Sequence, residues 1–312
     1  MTLWFVTALV FVLIHLAPGS PLDGAEDRGG MTRLSDEDRA ELARLYRLDQ
    51  PLHRQYAAWV GGVLRGDLGR SFHDRRPVAD KIVERIGVTA AINGLALGLM
   101  AALALPLGAL SAWRPGSRVD RYGAWLTYAA YAIPVFWAAL LFQLLFAVEL
   151  RWLPLAGLDA GGGSPTSPLV AAVDRLRHLV LPVVVLAVGG LAYLTRFVRA
   201  ALLDSHAAEN VVAARARGLS ALAVLVRHGF RRAAIPMLTL AGLLLPAVVG
   251  GSVIVENVFA IPGLGRMLVD AAFQRDVPVL MALTLLSGVA TLAGIVASDL
   301  AYLIVDPRIR RG

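Results

Sequence analysis

The chain of 312 residues contains no cysteine, which excludes disulfides and thiolate metal sites. It has one lysine, Lys81, so arginine carries nearly all of its positive charge. That bias, with abundant alanine, glycine and leucine, fits a GC-rich bacterial genome. No Gly-x-x-x-x-Gly-Lys-Ser/Thr run occurs, and the lone lysine lies in Val78-Ala79-Asp80-Lys81-Ile82, so a P-loop nucleotide site is excluded. Charge itself is scarce, at 17% of residues against 57% hydrophobic, and the mean hydropathy is +0.64. A soluble domain of this length does not show that balance; the composition is that of a membrane protein. The net charge of +7 is spread over many loops rather than gathered with aromatics on one face, which argues against nucleic-acid binding.

Six apolar runs organise the chain: Thr2 to Ala17, Val88 to Trp113, Tyr122 to Val148, Leu179 to Ala200, Ile235 to Val255 and Val277 to Val305. The last five are long enough to cross a bilayer, which takes roughly 20 residues; the first is slightly short. It has no basic n-region and no convincing small-x-small cleavage site, which argues against a signal peptide. The predicted fold is an all-α membrane protein with six transmembrane helices, divided as residues 1–21 (first helix), 22–87 (a large extracytoplasmic helical segment) and 88–312 (a five-helix core that includes a loop at 201–234). Arginine sets the orientation. With the N-terminus inside, the inner short segments hold thirteen arginines (114, 118, 121, 196, 199, 215, 217, 227, 231, 232, 308, 310, 311) and the outer ones five (151, 175, 177, 266, 275). Both termini are therefore expected in the cytoplasm.

Within residues 22–87, Ser35-Asp36-Glu37-Asp38 signals a helix start. Gln55 to Leu64 reads as an amphipathic helix whose Tyr56 and Trp59 suit the membrane interface. The stretch Arg65 to Ser71 reads as a glycine-rich turn packed against helix tops, with no assigned chemistry.

Glu209 to Pro236 is the one long polar, arginine-rich segment between two strongly apolar runs. Ala213, Ala214 and Ala216 form a small-residue helical face, Gly218 breaks it, and Ser220 is placed to cap a second helix. Arg215, Arg217, Arg227, Arg231 and Arg232 exclude the segment from hydrocarbon. Charge alone fits any cytoplasmic loop, since such loops are basic. The particular residues Glu209, Ala213, Ala214, Arg215, Ala216, Arg217, Gly218 and Leu219, with His228 and Pro236 beyond, resemble the EAA loop of ABC-importer permease subunits, most closely the dipeptide, oligopeptide and nickel branch. The chain departs from the general pattern in one respect. Ile-x-Leu-Pro should begin ten residues after the glycine, whereas His228 to Arg231 stands there and Ile235-Pro236 follows later.

A second stretch, Glu256-Asn257-Val258-Phe259-x-x-Pro262-Gly263-Leu264-Gly265, resembles the same family's Glu-x-x-Phe-x-x-Pro-Gly-x-Gly signature. Glu256, Phe259, Pro262, Gly263 and Gly265 read as a helix end, an aromatic folded back into the bundle and a tight turn; a re-entrant piece at the outer mouth and a plain connection both fit. Ser298-Asp299-Leu300 to Asp306-Pro307-Arg308 resembles its C-terminal signature. Asp299 inside the last span is costly unless paired; an arginine near the inner surface is its expected partner, and a transported-proton site the alternative. Pro106, Pro134, Pro182 and Pro246 lie inside apolar runs, where each permits a kink. His15, Asn93 and Gln143 lack metal-ligand spacing and read as interhelical hydrogen bonders.

The resemblance implies a transport subunit that is no enzyme: a permease forming half of a path for di- or oligopeptides in the bacterial inner membrane. It implies neither catalytic residue nor metal site, and no cofactor bound by this chain. ATP and Mg would be used by two partner ATP-binding subunits, docked on the loop around Gly218. A second homologous permease, an extracytoplasmic solute-binding protein and membrane lipids complete the expected partners, with no nucleic acid. Nickel or another small solute is the alternative cargo. The family's usual length also implies a functional start upstream of Met1. An ion-coupled secondary transporter working through Asp299 would show an internal repeat and paired intramembrane charges, and the sequence has neither.

Overall fold

The computed structural model describes residues 1–16, 49–159, 167–206 and 250–305, and between these last two segments only residues 213, 216–224, 229–230, 233, 237, 240, 242, 244 and 246–248. Among the described residues the regular structure is helical, with one isolated antiparallel bridge between Arg70 and Pro77. The helices are α1 (Thr2–Leu16), α2 (Leu52–Val63), α3 (Val78–Trp113), α4 (Arg118–Ala132) and α5 (Val135–Phe142), the last continuing as a π-helical stretch, Gln143–Glu149. There follow α6 (Pro168–His206), α7 (Ala221–Val224), α8 (Val253–Val258), α9 (Leu264–Phe273) and α10 (Val277–Val305). Three of them, α3, α6 and α10, are long and apolar enough to cross a membrane, and the bent pair made by α4 and its continuation is a fourth candidate.

Two of the spanning helices start well before their apolar runs. α3 begins at Val78 rather than Val88, with Asp80 in its first turn complementing the helix dipole. α6 begins at Pro168 rather than Leu179, where proline suits the first helical position and Ser167 Oγ accepts from Val170 N at 3.3 Å. Hydropathy marks the part of a helix that meets lipid, not the helix. At 1.5 Å per residue α6 is roughly 58 Å long, about twice the hydrocarbon thickness.

The expected span Tyr122 to Val148 is not one continuous helix. α4 stops at Ala132, Ile133 is extended at φ −82° and ψ 122°, and α5 restarts after Pro134 with a bend of 94°. The cause is local, because proline excludes the residue before it from the helical region. Pro106 and Pro182, by contrast, lie within α3 and α6. The expected run Ile235 to Val255 is also interrupted, at Gly251 and Ser252, where Gly251 takes φ +79°.

The chain divides into two compact units. The first comprises Met1–Thr89, Val249–Val253 and Pro262–Ala290. In it α1 packs on α2: Tyr56 Oη lies 2.9 Å from Thr7 Oγ1 and donates to Trp4 O at 2.9 Å, while its ring stacks on Trp59 and tilts against Phe11. The aromatic pair expected to face the membrane interface thus packs in part against α1. Among the described residues His15 bonds within its own helix, Nδ1 pairing with Phe11 O at 2.8 Å, and Nε2 has no partner there. Val78 and Ile82 of α3 share an apolar core with Leu264, Met267, Ala271, Val279 and Leu283.

The glycine-rich turn after α2 is tied to the α9–α10 junction through one buried serine. Ser71 Oγ donates to Asp276 Oδ2, and it accepts from Lys81 Nζ at 3.1 Å and from the amides of His73 and Asp74 at 3.3 Å. Asp276 Oδ1 also accepts from Phe72 N at 3.0 Å, and Lys81 reaches Asp74 at 2.8 Å. The only lysine of the chain is therefore a buried structural cation, not a ligand for phosphate.

The second unit comprises Ala90–Val248, Ile254–Ile261 and Thr291–Gly312. Met100, Ala104, Ala112, Leu194, Val198 and Leu202 form its core, where α3 meets α6. A Cβ added at Gly108 would fall 2.7 Å from Val198 Cβ and 2.8 Å from Thr195 O, so only glycine permits that approach. Small residues at the contact let backbones close up where no hydrophobic gain drives membrane helices together. α4 and α5 both pack on α6.

Burial pushes the Asp74 carboxyl up, but hydrogen bonds from Lys81, the Arg76 amide and Ser71, with the Lys81 charge, hold it down at about 2. A carboxyl depressed by folding stabilises the fold above its ordinary pKa of 3.8 and loses that contribution as pH falls toward 2. Amide exchange over residues 64–77, followed by mass spectrometry, should stay slow down to about pH 4 and accelerate below it, after correction for intrinsic rates. In Asp74→Asn the faster exchange should already be present at neutral pH.

Candidate functional site

The loop expected to couple to a partner is described at Ala213 and from Ala216 to Val224; Glu209, Ala214 and Arg215 lie outside the described residues. Ala213 and Ala216 are helical, and Arg217 N returns to Ala213 O at 3.2 Å, closing the last turn. Gly218 follows at φ +81°, the left-handed conformation that ends a helix and that glycine adopts without strain. Ser220 then caps α7, its Oγ accepting from Ala223 N at 3.3 Å and its carbonyl from Val224 N at 3.0 Å. A helical turn, the left-handed glycine and the start of the second helix are present among these residues; of the expected helix Ser220 to Arg232, α7 covers Ala221–Val224, and residues 225–228, 231 and 232 lie outside the described residues. Ala213, Ala216, Arg217, Gly218, Leu219 and Ser220 are exposed, and a Cβ on Gly218 would meet nothing within 4 Å. The loop therefore presents a small, shallow face with Leu219 beside it, flanked by an arginine.

The second motif falls into two parts. Glu256 to Ile261 belongs to the second unit, where Ile261 N bonds Glu256 O at 2.8 Å and Ala260 N bonds Asn257 O at 3.1 Å. This pair of bonds is a Schellman closure, with Ala260 at φ +51° in the place usually held by glycine. Glu256 and Phe259 are wholly buried, so the phenylalanine does fold into the protein. Phe259 O accepts from Gly157 N at 2.8 Å. Gln143 Nε2 donates to Leu155 O at 2.8 Å and Val258 O at 3.2 Å, which makes it the bonder between elements that its position in the sequence predicts. Pro262, Gly263 and Gly265 belong to the first unit. Gly263 is the N-cap of α9, Met267 N bonds its carbonyl at 3.1 Å, and Leu264 N donates to Thr89 Oγ1 at 2.8 Å.

Asp299 is exposed on α10 and makes no ion pair among the described residues; the expected arginine partner is not found there. Arg308, Arg310 and Arg311 lie outside the described residues. Among the described residues no three His, Cys, Asp or Glu side chains gather as metal ligands. Two carboxylates that the sequence did not single out, Asp276 and Asp120, hold separate segments together. Asp276 anchors Ser71 and Phe72, and Asp120 grips Arg199 with both oxygens at 2.8 Å while Oδ2 accepts from Gly116 N at 2.8 Å. Both stand where a loop enters a helix, a signal that a search of apolar spans passes over.

Residues 104–311 match the family described as binding-protein-dependent transport system inner membrane component. The chain belongs to this family. Its relatives include the oligopeptide transport system permease protein AppB of Bacillus subtilis, 37% identical over 97% of this chain and 94% of that protein. A putative peptide permease protein of Brucella suis is 36% identical over 98% and 94%. A probable peptide ABC transporter permease protein of Sinorhizobium fredii is 34% identical over 98% and 94%. Among solved structures, the MetNI methionine ABC transporter in inward-facing conformations is similar in fold, with a TM-score of 0.56 at 20% identity over 72% of this chain and 96% of that one. The chain is thus an inner-membrane permease component of an importer, and the loop around Gly218 lies within the matched family region.

Gly218 separates two requirements of that loop. A β-branched residue in the left-handed region is strained, and the strain for ordinary L-residues is about 1–2 kcal/mol, a roughly 5- to 30-fold shift in the population of the turn. Gly218→Val should lower transport into vesicles by at least that factor while insertion and expression are kept. Asparagine tolerates the same backbone, so Gly218→Asn should retain most transport if only the turn matters, and lose it if a partner packs against the bare Cα. Normal transport by Gly218→Val would remove the loop from the mechanism.

Proposed function

We propose that this permease forms half of the path of an ATP-driven importer of di- or oligopeptides, with a second similar permease completing it. Two ATPase subunits supply the energy, and an extracytoplasmic solute-binding protein delivers the cargo. The observation that carries the reading is the exposed alanine face ended by a left-handed glycine, within a chain that lacks a P-loop. Such a face suits a groove on another protein, because small side chains let a helix lie close. ATP binding would close the ATPase pair and move the loops docked on it. The bundle would then open outward to receive solute.

The peptide assignment rests on the relatives, whose names specify peptide or oligopeptide transport. In this reading six spans cross the inner membrane. α4 with α5 and the π-helical stretch count as one, the interrupted segment ending near Gly251 as another, and α1 as the first. The N- and C-termini and the Gly218 loop lie in the cytoplasm, a placement that the excess of arginine in those segments supports. Residues 22–87 lie outside, and the Glu256 to Gly265 motif stands near the outer mouth.

Gentle purification of the tagged chain from its native host, followed by mass spectrometry, tests the assembly. Stoichiometric recovery of ATPase subunits and a second permease is expected. A chain recovered alone that still moved solute in vesicles without ATP would contradict the proposal.

A further inference from the structure

Three arginines from two helices converge on one surface cavity of about 590 Å³ in the second unit, lined by Asp120, Arg121, Tyr128, Arg196, Phe197 and Arg199 among others. It holds one carboxylate, and that carboxylate is committed. Asp120 takes both Nε and Nη2 of Arg199 at 2.8 Å and also the Gly116 amide. Arg121 and Arg196 are exposed and make no ion pair among the described residues, so two positive charges at the cavity are left uncompensated. Arg196 is held in place by Tyr128, with its guanidinium carbon 4.9 Å from the ring centre.

The depth of this cavity follows from α6. Between Arg177 and Arg196 the helix runs for eighteen residues, 178 to 195, without an Asp, Glu, Lys or Arg. At 1.5 Å per residue that is roughly 27 Å, close to the thickness of the hydrocarbon core. Arg196 and Arg199 therefore sit at the boundary between hydrocarbon and headgroups. Arg121, in the first turn of α4, stands at the same level because its neighbour Asp120 grips Arg199. Beside the arginines the cavity wall is apolar and aromatic, with Tyr193 and Phe197 of α6 stacked at 6.4 Å and Ala124 and Tyr128 lining it from α4.

We infer that this cavity binds the phosphate of an anionic phospholipid, with Arg121 and Arg196 as its counter-charges and an acyl chain lying along α4 and α6. Basic pockets between membrane helices at headgroup level have the charge and the shape for such a ligand. A free phosphate would meet the same guanidinia, but it would leave the apolar wall uncovered. The inference rests on the bilayer-spanning reading of α6 and is independent of the Gly218 loop.

Native mass spectrometry of the permease, purified with the subunits it carries from nanodiscs of mixed phosphatidylglycerol and phosphatidylcholine, tests it. The native chain should retain phosphatidylglycerol in preference. Each arginine near an anionic headgroup contributes enough that Arg121→Gln/Arg196→Gln should weaken that preference roughly thirtyfold. Arg121→Lys/Arg196→Lys should keep most of it, and the charge-matched control Arg54→Gln/Arg65→Gln should keep all of it. Both control positions are exposed and lie in the first unit. Equal retention by the glutamine variant, with an unchanged elution profile, would overturn the proposal. So would displacement of the lipid by millimolar inorganic phosphate, which would make free phosphate the ligand. Loss of a second permease chain from the glutamine variant, with lipid retained, would make the surface a protein contact instead.

Discussion

Inside a bilayer a backbone amide or carbonyl has no water to bond, so each interruption of a helix must be satisfied by the protein itself. The structure meets this demand where the π-helical stretch ends and at the end of α8. Where α5 gives way to the π-helical stretch, Leu150 N reaches back five residues to Leu145 O, and Trp152 N and Leu153 N both turn to Phe146 O. Gln143 at that junction donates to the carbonyls of Leu155 and Val258. The end of α8 is closed by the Ile261 and Ala260 amides, even though that closure holds Ala260 in a region L-residues avoid. Gln143 is thus a side-chain substitute for backbone partners that the interrupted helices lack.

The same constraint separates the parts of the chain by environment. Helices that exceed the hydrocarbon thickness carry their charged ends into water, so Asp120 and Arg199 can pair at the end of α4 and along α6 without lying in lipid. The small polar network of Ser71, Lys81, Asp74 and Asp276 lies outside the apolar runs, where a buried lysine is tolerable because two oxygens accept from it at 3.1 and 2.8 Å. The loop at Gly218 is the most exposed of the three settings. Its described turn is set by local chemistry, through a left-handed glycine and a serine cap.

What could be read from the sequence follows the range of the interactions involved. Gly218, Ser220 and the alanine face were legible because turns and caps are set by neighbours within four residues. Gln143 as a polar bonder and Phe259 as a residue folded inward were legible for a similar reason: each is costly in any other environment. The starts of α3 and α6 were not, because hydropathy ends at the lipid boundary while the helix continues. Pro134 was read as a kink within a helix, but proline and the preceding Ile133 together break it through 94°. Asp276 and the Ser71 turn were missed as a pair because 205 residues separate them. Asp299 is exposed on α10, and Arg308, Arg310 and Arg311 beyond it lie outside the described residues.

Docking of the loop around Gly218 on an ATPase subunit, as proposed, brings Ala216 within cross-linking reach of that subunit. Because the chain has no cysteine, a single one placed at Ala216 can be cross-linked without background. In membranes containing the whole transporter, Ala216→Cys treated with a short bifunctional reagent should join this chain to an ATPase subunit, with a yield that changes when ATP is added. A cysteine at Ala216 that never reaches an ATPase subunit, while one placed on the opposite membrane face does, would contradict the account.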